Sequence, residues 1–433
     1  MKKALALIAV VLMLSSAVVA SPAGLIGLGG TPVQLTNLEE NALINPALLG
    51  GFANKVVIGI EIPVPAGTAA SGMIITNIGP GTLLVGAGNR AFGSVDFLSV
   101  GTSYNVPSTT FNLGYALGLD KNISVGLSVG YGVDNDTEKA LRAGGVELDG
   151  GDETSTNRTI FRIAAGASLD VGIPLDASLS VALPGYYTET KDYVGTTEDL
   201  GSNPKTTFNG LDFALDAKTE LAGLMLALNL TLSSLQYQSI TWLNTDADDD
   251  PETHVISTSD DSSMDISLIA GKKIEASKTL NVLLSSGLNI KTNGAYKAVT
   301  EDKIADTKTY TNADGSSEME IAIPFTLAVA VDLGKIWTIS NDNLSATVGI
   351  TKEVIVVNNY TNKTLDLTED DPYTADPTDL SQGSSTWNNS PVVGAVGIVW
   401  ELGESKVCAS AGAKYLNGSL EPTAALDFNY AWK

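Results

Sequence analysis

The chain has 433 residues, with 49 acidic side chains against 25 basic ones, a formal charge of −24, and one cysteine, Cys408. The missing basic face argues against a nucleic-acid partner, and a lone cysteine cannot form an internal disulfide. Gly contributes 43 residues, above the roughly 7% of average composition, while long Ala/Glu/Lys/Leu-rich stretches with helical spacing are scarce.

Lys2 and Lys3 precede the apolar run Ala4 to Leu14, and Val18-Val19-Ala20 offers small residues to a signal peptidase, so cleavage after Ala20 is expected. Cleavage would take Lys2 and Lys3 and no acid, leaving a charge of −26. The run is too short for a transmembrane helix of about 20 residues, and no later stretch reaches that length without a charge, Pro or a cluster of Gly and polar residues. No Cys at the cleavage site invites a lipoprotein anchor.

From residue 111 onward, large apolar and small residues alternate. Phe111, Leu113, Tyr115, Leu117 and Leu119 share one face, with Asn112, Gly114, Ala116 and Gly118 opposite. Asp120-Lys121-Asn122 turns the chain, and Ile123, Val125, Leu127, Val129 and Tyr131 then face away from Ser124, Gly126, Ser128 and Gly130. This period of two predicts half-apolar strands. It recurs in Phe161 to Leu169, Leu224 to Leu232, Leu284 to Ile290, Met319 to Val331, Val392 to Trp400, and Leu426 to Trp432. Most of these runs suffice for a tilted membrane strand of about 9–11 residues.

Short turns near 120–122, 171–176, 220–223, 276–278 and 401–404 alternate with long polar segments near 134–157, 190–207, 244–262, 292–317 and 358–390; 333–342 is intermediate and fits the short side. Outer-membrane barrels show this asymmetry, with tight periplasmic turns and longer external loops. The expected fold is therefore an all-β, antiparallel, up-and-down transmembrane barrel filling 54–433. Counting from a strand around 93–105 gives 14 strands, the favoured number; a hairpin within 54–78 makes 16. A soluble β-sandwich is the competing reading, but its wet face would carry Lys and Glu, whereas the smaller face here is Gly, Ser, Ala, Asn and Thr. Tyr104, Tyr131, Tyr186, Tyr187, Tyr237, Trp242, Trp337, Trp400, Tyr430 and Trp432 fall near expected strand ends and suit interfacial girdles.

Gly27-Leu28-Gly29-Gly30, an Asn/Glu-containing segment through Asn41, Asn45-Pro46-Ala47-Leu48, and then the strand Lys55 to Ile62 form an arrangement that resembles the long-chain fatty-acid transporter family of outer-membrane barrels. The resemblance implies that residues 21–53 form a hatch in the lumen, with Asn45-Pro46 ending it and directing the chain into the wall. Family members generally finish on an aromatic residue; here Lys433 follows Trp432.

Catalytic patterns are weak. His254 is the only histidine and sits in an acidic loop expected over Asp246 to Asp261, without nucleophile–base spacing around it. Asp246, Asp248, Asp249 and Asp250 invite a loose cation site, but Pro251 stands where a calcium loop needs Gly and Ser257 replaces its bidentate acid; a solvated acidic loop is the plainer reading. No cofactor is implied. Two functions remain open: an outer-membrane channel or transporter for small hydrophobic or other small substrates, and a structural, adhesive or secretion-associated barrel working through its acidic external loops. Expected partners are outer-membrane lipid, the barrel-assembly machinery and an unidentified small substrate.

Overall fold

The computed structural model describes residues 41–63, 69–88, 109–139, 153–170, 172–194, 197–199, 204–243, 253–293, 296–302, 307–313, 317–337, 343–361, 366–367, 380–383, 392–402, 405–416 and 418–431. The signal segment, residues 21–40, the strand expected around 93–105, and Asp246 to Asp250 lie outside them.

Sixteen antiparallel strands form one closed wall. They are β1 Lys55–Pro63, β2 Ala69–Ile78, β3 Gly81–Gly88, β4 Thr109–Gly118, β5 Ile123–Lys139, β6 Glu153–Asp170, β7 Pro174–Val194 and β8 Lys205–Leu221. The circuit continues with β9 Leu224–Leu243, β10 Thr253–Ser277, β11 Leu280–Asn293, β12 Ser317–Asp332, β13 Asn343–Thr361, β14 Val392–Leu402, β15 Ser405–Leu416 and β16 Ser419–Ala431. Each strand pairs with its sequence neighbour or packs beside it, and β16 returns to β1 with Lys55 opposite Ala431 and Pro63 opposite Thr423. The ladder between β16 and β1 closes the wall, and lipid would not tolerate an open edge there. The number is the larger of the two that the sequence allowed. The preferred count of 14 fails because β1 and β2 form the hairpin within 54–78 as wall, and β3 supplies a strand before 93–105.

The faces divide as the alternation requires. Leu113 and Leu127 are 56% and 54% exposed on the outer face, while Asn112, Gly114 and Gly130 between them are buried toward the lumen. Leu426, Phe428 and Tyr430 of the closing strand are likewise exposed. An even, closed barrel wrapped in an apolar band is the architecture of bacterial outer-membrane proteins, and this chain is one of them. Tyr131, Trp400 and Tyr430 face outward, but Tyr186 packs with Phe208 and Leu235 inside the lumen, and Tyr237 shares the inward parity of Leu235. Those two tyrosines are therefore not girdle residues. Two lysines, Lys272 and Lys352, also stand on the outer face, beside a groove of about 500 Å³ over Leu284, Leu327 and Ile350.

Tight connections sit at one end. Ala222 and Gly223 join β8 to β9 with both φ values positive, 53° and 76°, the backbone of a two-residue hairpin turn matched to strand twist. A short helix, α1 Asn41–Ile44, precedes the wall, and a second, α2 Leu333–Trp337, occupies the intermediate connection after β12. At the other end the described residues of the segments expected as loops are mostly strand. β5 and β6 stay paired out to Lys139 and Glu153, and Thr253 to Asp261 pairs with β9, placing His254 opposite Trp242 on a ladder instead of in a loop. A hairpin of 296–302 and 307–313 adds to β10 beyond the wall.

Two prolines interrupt the ladders. Pairing of β7 with β8 skips from Ala182–Asp212 to Gly185–Asn209 around Pro184, and that of β11 with β12 skips from Ser286–Phe325 to Asn289–Ala322 around Pro324. Each proline lacks the N–H its partner needs.

Candidate functional site

The described part of the N-terminal segment sits on the lumenal side of the wall. Asn45 caps a 3₁₀ turn over Pro46–Phe52: its Oδ1 accepts from Ala47 N at 3.0 Å, and Pro46 takes the first position, where no N–H is required. The Asn45 amide then reaches the wall, donating Nδ2 to the Ala167 carbonyl at 3.2 Å. Ser124 Oγ donates to Ala47 O at 2.7 Å, and Arg162 Nη1 donates to Leu43 O at 3.0 Å. Strands β5 and β6 thus hold three successive parts of one short segment.

Glycine makes this approach possible. A Cβ on Gly126 would lie 2.5 Å from Ala47 N and from Pro46 O; one on Gly166 would collide with the Asn45 amide. Leu49, fully buried, reaches Gly114 and packs with Ala42 and Leu43 against Val57, Met73, Ile75, Leu84 and Ala116 of β1 to β4. One half of the lumen is therefore apolar and covered by residues 41–52.

The opposite side carries polar groups. Ser178, Ser180, Asp212, Asp216, Ser233 and Ser263 are buried inward-facing groups on β7 to β10. Asn229 donates to Asp216 at 2.8 Å, Ser267 to Asn289 at 2.8 Å, and Asn289 to Glu353 at 2.9 Å, so two hydrogen-bonded groups, one on β8 and β9 and one on β10, β11 and β13, make a polar belt on this side. A cavity of about 20 Å³ separates Asn45 and Leu48 from Asp176, Asp216 and Lys218; it is of a size for one water.

Outward of this belt, Glu189 lies beyond the Tyr187 level on β7. Its carboxyl is held below the ordinary glutamate range, chiefly by the hydrogen bond from Lys205, at 2.6 Å, and also by the Tyr187 hydroxyl at 2.9 Å.

Asn45, Pro46 and Ala47 therefore meet the wall directly, and Leu48 lines the small cavity. Gly126, Gly166, Arg162 and Asp212 are the lumenal residues that sequence reading missed. The glycines look like every other small residue of that face. Arg162 and Asp212 did carry a signal, as charges at inward positions flanked on that face by Ile160 and Ala164, and by Gly210 and Ala214.

No family model and no curated protein matches the sequence. Among solved structures, the chain is similar to the Pseudomonas putida toluene transporter TodX, at 10% identity and a TM-score of 0.43, over 95% of this chain and 98% of that one. A Pseudomonas aeruginosa FadL homologue matches at 8% identity and 0.45, over 96% and 99%. The translocator domain of the autotransporter NalP from Neisseria meningitidis matches at 13% and 0.29, over 72% and 89%. Likeness of this size leaves function to the geometry of the chain itself.

Proposed function

We propose that this outer-membrane barrel is a channel for small solutes and that residues 21–53 act as a hatch in its lumen. The observation that carries the reading is the one-sided seat of residues 41–52. They are hydrogen-bonded and packed on β1 to β6, while β7 to β10 place buried Ser and Asp side chains on the lumen beside the Tyr186–Phe208–Leu235 cluster. Polar groups on the lumenal face that the described residues of the segment leave uncovered supply a hydrated side for passage. Resemblance to fatty-acid transporters points to hydrophobic cargo, whereas the polar belt supports solutes that keep hydrogen bonds as they pass.

The test is flux into liposomes carrying the folded full chain or a variant lacking residues 21–53. The deletion should raise conductance and solute flux, because every wall strand lies outside it. Equal flux in both proteins, with the barrel folded, would remove the hatch; no flux in either would remove the channel. A surface role gains support from the strands that continue beyond the membrane, such as β5 and β6 joined by Asn157–Asn135 and Arg158–Asp134, and it becomes the leading reading if neither protein conducts.

A further inference from the structure

Arg162, Ala182, Asp212 and Ser233 stand side by side in one inward-facing row across β6 to β9. Arg162 donates Nη1 to Leu43 O and its charge is answered by Asp216, although its Nε is buried without a partner among the described residues. Lys218 is balanced by Asp176 and Glu220. Asp212 is not balanced. It is 2% exposed, and among the described residues both carboxylate oxygens are buried without a hydrogen bond of ordinary geometry, with Ser233, its register partner, the polar side chain that bears on it. A buried carboxylate with open acceptors is costly unless something pairs it. Immediately outward the lining turns apolar. A Cβ on Gly210 would lie 2.7 Å from both Leu235 Cδ2 and Pro184 Cγ, and above them Phe208, Leu235 and Tyr186 form a buried cluster.

We propose that Asp212 is a binding site for a primary ammonium ion carrying an apolar group, a subsite that rests on reading the lumen as a passage. An –NH₃⁺ has three donors and no acceptor. The two oxygens of Asp212 and the Ser233 hydroxyl answer those donors, and the Leu235–Phe208–Tyr186 collar receives the alkyl or aryl part. An inorganic cation would match the carboxylate but gain nothing from the collar.

The experiment measures equilibrium binding of methylammonium and butylammonium to the folded full chain in detergent at pH 8, with conductance recorded separately. The parent should prefer butylammonium by at least tenfold, since each buried methylene is worth about fourfold. Asp212→Asn, isosteric and uncharged, should lose binding of both by tenfold or more. Leu235→Ala should cut the preference for butylammonium while leaving methylammonium within about twofold, which guards against Asp212→Asn merely disturbing the fold. Undiminished binding in Asp212→Asn, or equal competition by sodium and butylammonium in the parent, would overturn the site. Binding without conductance would keep the site and remove the channel; conductance without binding would do the reverse.

Discussion

Gly126→Ala adds one methyl group at the tightest point of the lumenal seat. The new Cβ would stand 2.5 Å from Ala47 N and Pro46 O, so the backbone of 46–47 must withdraw by about 1 Å to reach ordinary contact. The wall itself accepts Ala, because the register neighbours of Gly126 are Ala116 and Gly166. A 1 Å withdrawal stretches the bonds Ser124–Ala47, at 2.7 Å, and Asn45–Ala167, at 3.2 Å, beyond useful length. Each neutral bond is worth about 0.5–1.5 kcal/mol, and partial loss of the Leu49 contact adds roughly 1 kcal/mol. The seat should therefore weaken by about 2–4 kcal/mol, a shift of roughly thirty- to several-hundred-fold in its occupancy ratio. The assay is maleimide labelling of Ala47→Cys in a Cys408→Ser background, since Ala47 is 2% exposed and Cys408 is the only native thiol. Labelling should be slow in the parent and at least tenfold faster with Gly126→Ala. Equal rates, with the barrel intact, would refute the claim that glycine at 126 is what admits the segment.

Other perturbations follow from the same geometry. Lys272→Leu replaces a lipid-facing lysine in the apolar band with a residue suited to it, and should raise unfolding stability in bilayers by up to about 2 kcal/mol; a lower denaturant midpoint would contradict the outward assignment. Because the Glu189 carboxyl is depressed by Lys205, that pair supports the outer ends of β7 and β8 above the ordinary glutamate value and loses its hold as pH falls through the depressed one. Hydrogen exchange near Thr190 should accelerate in that acid window in the parent but be insensitive to it in Lys205→Ala. Neutralising Asp246, Asp248, Asp249 and Asp250 together should reduce cation preference at low salt if their loop lies near the mouth, an effect confined to a Debye length of about 8 Å at physiological salt; reversal potentials in a salt gradient decide it.

The wall was legible where its two faces differ. Phe111 to Leu119 and Ile123 to Tyr131 have water and small side chains on one side and lipid on the other, so the period of two survives. It fails in β2 and β3, where Met73, Ile75 and Leu84 point inward against the N-terminal segment while Ile74 and Val85 point outward. With both faces apolar, alternation disappears, and the count fell two short. It fails again beyond the membrane, where Thr154 to Arg158 and Thr188 to Lys191 are polar on both faces yet remain paired, so strand reads as loop. Asn45-Pro46 announced a chain reversal through its own capping chemistry. Its receptor did not, because nothing local separates Gly126 and Gly166 from other lumenal glycines; only the fold, closing residues 45–47 onto β5 and β6, does so.

The central claim is that one face of these strands meets lipid and the other a lumen, and the adjacent pair Leu127 and Ser128 tests it most directly. Leu127 is 54% exposed on the outer wall, whereas Ser128 faces inward between Gly114 and Ala164. Arginine facing lipid near the midplane costs about 2–4 kcal/mol, while a lumenal one stays hydrated. Measured as the folded fraction on insertion into phospholipid vesicles, Leu127→Arg should fall well below Ser128→Arg. Equal tolerance at the two positions, or the opposite order, would contradict the account.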